Sequence, residues 1–254
     1  MRKISKISIV LVLILVMALF TGCAKENKYV NVGVEMSTAG LSLYLTNTAA
    51  GLEKISTYVF FPEDADETFD KISRNKQGID ISYIPVKELS RIKADSNFRV
   101  VYIDCFEENG DLKGVWIARD GWIKDAPTYS QRYMNGLAKS TDYRAEHMNM
   151  SYDEALASIK GMRDFDFTVQ NETLQFVAVF DQSNDDVIAN EKFEVKNTAE
   201  LGRMFDGFES GRGEGYELCR AAYDKYCTAA DAMSFEEMFS FDMMYSAFEN
   251  AHSK

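Results

Sequence analysis

Histidine, proline and cysteine are scarce in this chain: its 254 residues include two histidines, three prolines and four cysteines. His147 and His252 stand far apart, and neither an H-E-x-x-H nor a C-x-x-C spacing occurs, which argues against a zinc site. There is no G-x-S-x-G elbow, no Walker-type phosphate loop and no histidine placed beside a cysteine. Asp164 and Asp166 supply two carboxylates at i and i+2, a pattern more typical of a solvated turn than of an acid–base pair. No catalytic residue, metal or cofactor is therefore expected, and the chain is not read as an enzyme. Basic residues are also in deficit, 28 against 40 acidic ones for a net charge of −12. Such a surface repels nucleic acid and anionic headgroups, yet the acidity alone selects no cationic ligand because it also serves solubility.

What the chain does have begins at its first residues. Arg2, Lys3 and Lys6 precede an apolar run over 9–20, and Thr21-Gly22-Cys23 follows at once. That run is shorter than the roughly 20 residues of a spanning helix; its basic flank and small residue before the cut have the form of a secretory signal peptide. Cys23 directly after Gly22 resembles the lipobox of bacterial lipoproteins, with Phe20 where that pattern favours Leu. The resemblance implies a diacylated Cys23 and a protein held at the extracytoplasmic face of the cell membrane, since two acyl chains anchor stably where one does not. Beyond Cys23 three cysteines remain, Cys105, Cys219 and Cys227, and an odd number argues against a disulfide framework. Cys219 and Cys227 lie eight apart in one predicted helix, about 12 Å of rise, too far to bridge.

Past a short tether, strands and helices alternate. Strands are predicted over 29–34, 56–61, 79–84, 98–104 and 113–119, and helices over 41–52, 66–75 and 86–94. Asn109-Gly110-Asp111 marks a turn between the last two strands. This alternation predicts a mostly parallel sheet covered by helices. After Asp120 the pattern becomes helical, with runs over 129–148, 151–163, 197–208, 216–230 and 235–250. Residues 174–180 are apolar and suit either strand or helix. Gly211, Gly213 and Gly215 form a break.

Three segments carry a further resemblance. They are Val32-Gly33-Val34-Glu35 leading to Ser37-Thr38-Ala39; Gly78-Ile79-Asp80-Ile81-Ser82-Tyr83-Ile84-Pro85; and the stretch from Trp116-Ile117-Ala118-Arg119-Asp120-Gly121-Trp122 to Pro127. In this order they resemble the substrate-binding lipoproteins of ABC importers, of the sulfonate, nitrate and thiamin-precursor type. That family implies a type II periplasmic-binding-protein-like α/β lobe and, normally, a second lobe between the fourth strand and the return strand. Only about a dozen residues separate Ile103-Asp104 from Trp116, so a reduced or atypical second lobe is expected, with a helical C-terminus. The domain reading is a leader over 1–22, a tether over 23–28, a binding-protein-like lobe over 29–163, a reduced second lobe or patch over 164–230, and a C-terminal helix over 231–254. A full two-lobed clamp stays open beside it.

The resemblance implies a small organic solute held non-covalently at the strands' carboxyl edge and delivered to a membrane permease, with no nucleic-acid partner. Ser37 and Thr38 open a predicted helix, where free N–H groups suit an anionic head and where hydroxyls also serve as plain N-caps. Tyr83 and Pro85 close the third strand at that edge; packing on the helix below is the plainer role for Tyr83. Cys105 ends the fourth strand, where an unpaired thiol is more often a small buried hydrophobe than a nucleophile. Trp116 completes the ligand-binding set, although aromatics at strand ends also serve the core. The alternative function is an interaction or regulatory lipoprotein derived from one binding-protein lobe.

Overall fold

In the computed structural model, residues 29–34, 56–60, 62, 64–74, 78–147 and 193–252 are described. The predicted helices over 41–52 and 151–163, the ambiguous run over 174–180, Cys23, Ser37 and Thr38 lie outside them. Six strands form one sheet: β1 (Tyr29–Gly33), β2 (Ser56–Phe60), β3 (Ile81–Pro85), β4 (Phe98–Phe106), β5 (Leu112–Arg119) and β6 (Glu194–Val195). Their spatial order is β2-β1-β3-β5-β4-β6. β1 pairs in parallel with both β2 and β3. β5 runs antiparallel to β3 and to β4, and β6 antiparallel to β4. β1 to β4 thus point one way, and β5 is inserted between β3 and β4 against that direction.

The hairpin turn follows from its residues. Gly110 takes φ 86°, a conformation open to glycine, and Asn109 accepts from the Asp111 N–H at 3.0 Å, as turn asparagines do. Two helices begin where the sequence supplies a capping side chain. α1 (Ala65–Ser73) is capped by Asp64, which accepts from the Glu67 N–H at 2.8 Å. α2 (Asp120–Asp125) is followed by α3 (Pro127–His147), opened by a proline whose missing N–H costs nothing there. α4 (Thr198–Met204) carries a complete capping box between Asn197 and Glu200. α5 (Glu214–Tyr226), α6 (Phe235–Met238) and α7 (Asp242–His252) complete the chain.

Two predicted helices differ in form. Residues 86–91 make a 3₁₀ turn rather than an α-helix. Val86 and Leu89 are its buried residues, with Ile92 buried at its end, and a three-residue spacing aligns on one stripe in a 3₁₀ winding. The predicted helix over 235–250 is two helices, because Phe239 and Ser240 leave the helix to lie along β4. Phe239 bridges Val100, and the Ser240 N–H donates to the Val100 carbonyl at 2.9 Å.

One apolar core runs from Val30 to Phe248. Tyr83, Trp116 and Tyr102 face one another across β3, β5 and β4. Trp116 meets Tyr133 of α3 at 6.5 Å between ring centres, and Tyr102 meets Phe248 of α7 at 5.8 Å. A second aromatic group joins the later segments: Phe241 meets Phe208 at 4.9 Å and Phe205 at 5.1 Å, while Tyr223 meets Phe235 at 5.5 Å. Edge-to-face pairs of this kind add about 0.5–1.5 kcal/mol each beyond their buried area. The described residues of the 164–230 segment, 193–230, contribute β6 to the sheet edge and Leu201, Phe205 and Cys219 to this same core.

Candidate functional site

The carboxyl ends of β3 and β4 meet the first residues of β5 and β6 along one edge, while β1 ends lower, with Gly33 opposite Ser82. Close backbone approach shapes both this edge and the β1–β3 seam below it. A Cβ on Gly33 would stand 2.4 Å from Ser82 Oγ, and Ser82 Oγ instead donates to the Gly33 carbonyl at 3.1 Å. A Cβ on Gly114 would stand 2.1 Å from Tyr83 Oη, so the missing side chain of Gly114 is what lets the phenol lie across β5.

Of the predicted site residues, the structure brings together Tyr83, Pro85, Cys105 and Trp116. Tyr83 and Trp116 are paired across strands, their rings 5.9 Å apart, and Pro85 stands opposite Gly114 at the rim. Pro85 is half-buried, whereas Tyr83 and Cys105 are buried and Trp116 is 0% exposed. The Tyr83 hydroxyl is hydrogen-bonded to the Cys105 thiol. Burial, followed by the negative charge of Asp104, pushes that thiol up to about 12, against a smaller lowering by Tyr83. Cys105 is therefore a neutral thiol at physiological pH and has no nucleophilic role. Trp122 opens α2 at the opposite edge, buried beside Tyr133 at 6.3 Å.

Sequence reasoning missed a charged cluster just inside the same edge. Asp104 and Arg144 form a buried ion pair between β4 and α3. Thr141 Oγ1 donates to Asp104 Oδ2 at 2.7 Å and shares a 2.9 Å hydrogen bond with the Tyr102 hydroxyl. The signal was present in the sequence. Asp104 interrupts the otherwise apolar run over 100–106, and Arg144 falls at i+3 and i+7 from Thr141 and Leu137, on the core side of its helix.

A second buried pair, Asp80 with Arg119, ties β3 to β5 at the amino end of β3. Asp80 Oδ2 accepts from the Asn31 N–H at 2.9 Å, and Arg119 donates to Oδ1 at 2.5 Å. Also at that end, a groove of about 630 Å3 is lined by Phe69, Ser73, Ser90, Arg91, Lys93 and Phe98 among others. Its bases are already engaged, Arg91 with Glu88 at 2.7 Å and Lys93 with Asp231 at 3.0 Å. Among the described residues there is no cluster of His, Cys, Asp and Glu able to hold a metal ion. Among them, too, no helix is long and apolar enough to cross a membrane.

No protein-family model and no curated protein sequence matches the chain. Solved structures do. The ligand-binding component of an ABC-type import system from Staphylococcus aureus, determined with zinc bound, superposes with a TM-score of 0.50 at 8% identity, over 87% of this chain and 99% of that one. The periplasmic nitrate-binding protein NrtA from Synechocystis gives 0.53 at 9% identity, over 89% and 90%. A protein from Bordetella bronchiseptica gives 0.53 at 7% identity, over 89% and 99%. The chain has the fold of ABC-importer binding proteins. In this binding-protein fold the strands' carboxyl edge is where open α/β sheets hold ligands, and it is the edge that gathers Tyr83, Pro85 and the Asp104–Arg144 pair here.

Proposed function

We propose that the chain is an extracytoplasmic solute-binding lipoprotein of an ABC importer, anchored through an acylated Cys23. It captures a small organic solute by non-covalent contacts and delivers it to a membrane permease. The observation that carries this reading is the likeness to the ligand-binding component of an ABC-type import system and to a periplasmic nitrate-binding protein, over nearly the whole of each. It is supported by a strand edge shaped by the close approach at Gly114 and by a buried ion pair.

The solute's seat is placed at that edge. Pro85 forms the rim, and Ser37 and Thr38 are assigned the solute's polar head from the sequence. Tyr83 lies behind Pro85, backed by Trp116 and Cys105. The role of those last two in the seat is to fix the Tyr83 ring. Thermal-shift screening of the purified protein against sulfonates, nitrate, amino acids and thiamin precursors tests capture, with at least one class expected to raise Tm. Crosslinking in intact cells tests delivery, with a permease subunit as the expected partner. No shift with any class, together with an unrelated membrane partner, would favour a regulatory lipoprotein instead.

A further inference from the structure

The buried cluster beneath the tip of β4 uses only part of its hydrogen-bonding capacity. Asp104 and Arg144 are each 1% exposed, joined through Oδ2 and Nη2. Four atoms beside that contact are buried without a hydrogen-bond partner among the described residues: Asp104 Oδ1, Arg144 Nε, Arg144 Nη1 and Ser140 Oγ. Ser140 and Arg144 stand one turn apart on the same side of α3. Native interiors rarely leave several such groups unpaired, least of all charged ones. Turning the Asp104 carboxylate into a bidentate contact would occupy Oδ1 and one more nitrogen. It would still leave one guanidinium nitrogen and the Ser140 hydroxyl unmatched, because a guanidinium has three nitrogens and a carboxylate two oxygens.

We infer that this cluster is the inner end of the solute's seat and receives the head group of a small zwitterion. The solute's oxyanion is held by Arg144 Nε and Nη1 and by the Ser140 hydroxyl, and its N–H donors by Asp104 Oδ1. Charge selects the class. The Asp104–Arg144 pair is neutral as a whole, so a solute carrying both signs adds no uncompensated charge to a buried site. A lone anion or cation would add one. The inference rests on the solute-capture reading above and narrows it. The cluster is closed to solvent in this structure, so the layers covering Arg144 part when the solute enters.

The test is calorimetry and thermal unfolding of the full chain with glycine and taurine. Acetate, methylammonium and glycine betaine, which carries both charges but no N–H donor, serve as comparisons. Glycine or taurine at a hundredfold excess over Kd is expected to raise Tm by roughly 5–10 °C, with no shift from the other three. Ser140→Ala removes a buried unpaired hydroxyl and is expected to leave the free protein as stable as the wild type or more so, while weakening zwitterion binding about tenfold. A merely structural Ser140 would leave the affinity unchanged. Arg144→Lys, which keeps the charge and loses the fork, is expected to abolish the shift in a chain that still unfolds cooperatively. Equal shifts with betaine and glycine, or no shift with any zwitterion, overturn the inference. If nitrate or a thiamin precursor binds and zwitterions do not, solute capture stands and this assignment alone falls.

Discussion

Asp80 provides the sharpest test of what holds the sheet together. It is 1% exposed, and both its oxygens are engaged, one by the Asn31 N–H and one by Arg119. Burial raises its pKa above the ordinary 3.8, against the lowering effects of the Asn31 N–H and of Arg119. The folded protein thus tolerates a neutral group here better than the unfolded chain does. Asp80→Ala strands the Asn31 N–H, a loss of about 1–3 kcal/mol, and leaves Arg119 without its carboxylate. A fully buried broken pair costs about 3–5 kcal/mol, but the Arg119 side chain is 14% exposed and reaches water, so the lower part of that range applies. The expected total is about 3 kcal/mol, or a Tm lower by roughly 6–12 °C. Asp80→Asn keeps an acceptor and matches the protonated state, so it is expected to cost no more than about 1 kcal/mol. The pH dependence follows from the raised pKa. The stability contributed by a neutral Asp80 is fully present below the ordinary aspartate value and is lost as pH rises through the higher folded one. Between those two values wild-type stability should fall relative to Asp80→Asn, whose site does not titrate. Urea unfolding across that window measures both effects. An Asp80→Ala cost below about 1 kcal/mol, or an Asn variant as damaged as the Ala variant, would refute the reasoning.

Other outcomes follow from the strand edge. Gly114→Ala places a Cβ on the Tyr83 phenol, 2.1 Å from its oxygen. It should cost about 1–3 kcal/mol in urea unfolding through overpacking and should blunt any ligand-induced thermal shift. The Cys105 thiol, pushed up to about 12 by burial, should resist iodoacetamide at pH 8 in the native protein and react only on unfolding. Mass spectrometry of the labelled peptide decides this, and rapid native labelling would contradict it.

The sequence made the alternation of strands and helices from Tyr29 to Arg119 legible, because period-2 apolar runs bounded by Pro62, Gly78, Pro85 and Gly110 leave little choice of element. It did not disclose that β5 inserts between β3 and β4, since pairing order depends on long-range contacts that periodicity does not encode. β6 was missed because two residues make no pattern, although Phe193 to Lys196 alternates apolar and charged. The C-terminal helix was read as continuous because Phe235, Phe239 and Met243 keep a helical spacing. The pairing of Phe239 and Ser240 with β4 then overrides that local preference. At the candidate edge, the sequence pointed to Tyr83 and Pro85 through their place at a strand end. Asp104 and Arg144 went unweighed: Asp104 is one charge in an apolar run, Arg144 one of several charges on a polar helix, and only the fold brings them within bonding reach.

The outer edge of β4 is covered in two places by late parts of the chain: Val195 lies against Cys105, and the strap at Phe239 and Ser240 lies against Val100. An uncovered edge offers its N–H and C=O groups to any passing strand. While the polypeptide is being made, that flank stays open until Phe239 and Ser240 have emerged. A ribosome stalled before Phe239, or a protease acting there, would leave a sticky border rather than a merely shortened protein. Protection of this border is thus tied to Val195 and to the strap at Phe239 and Ser240.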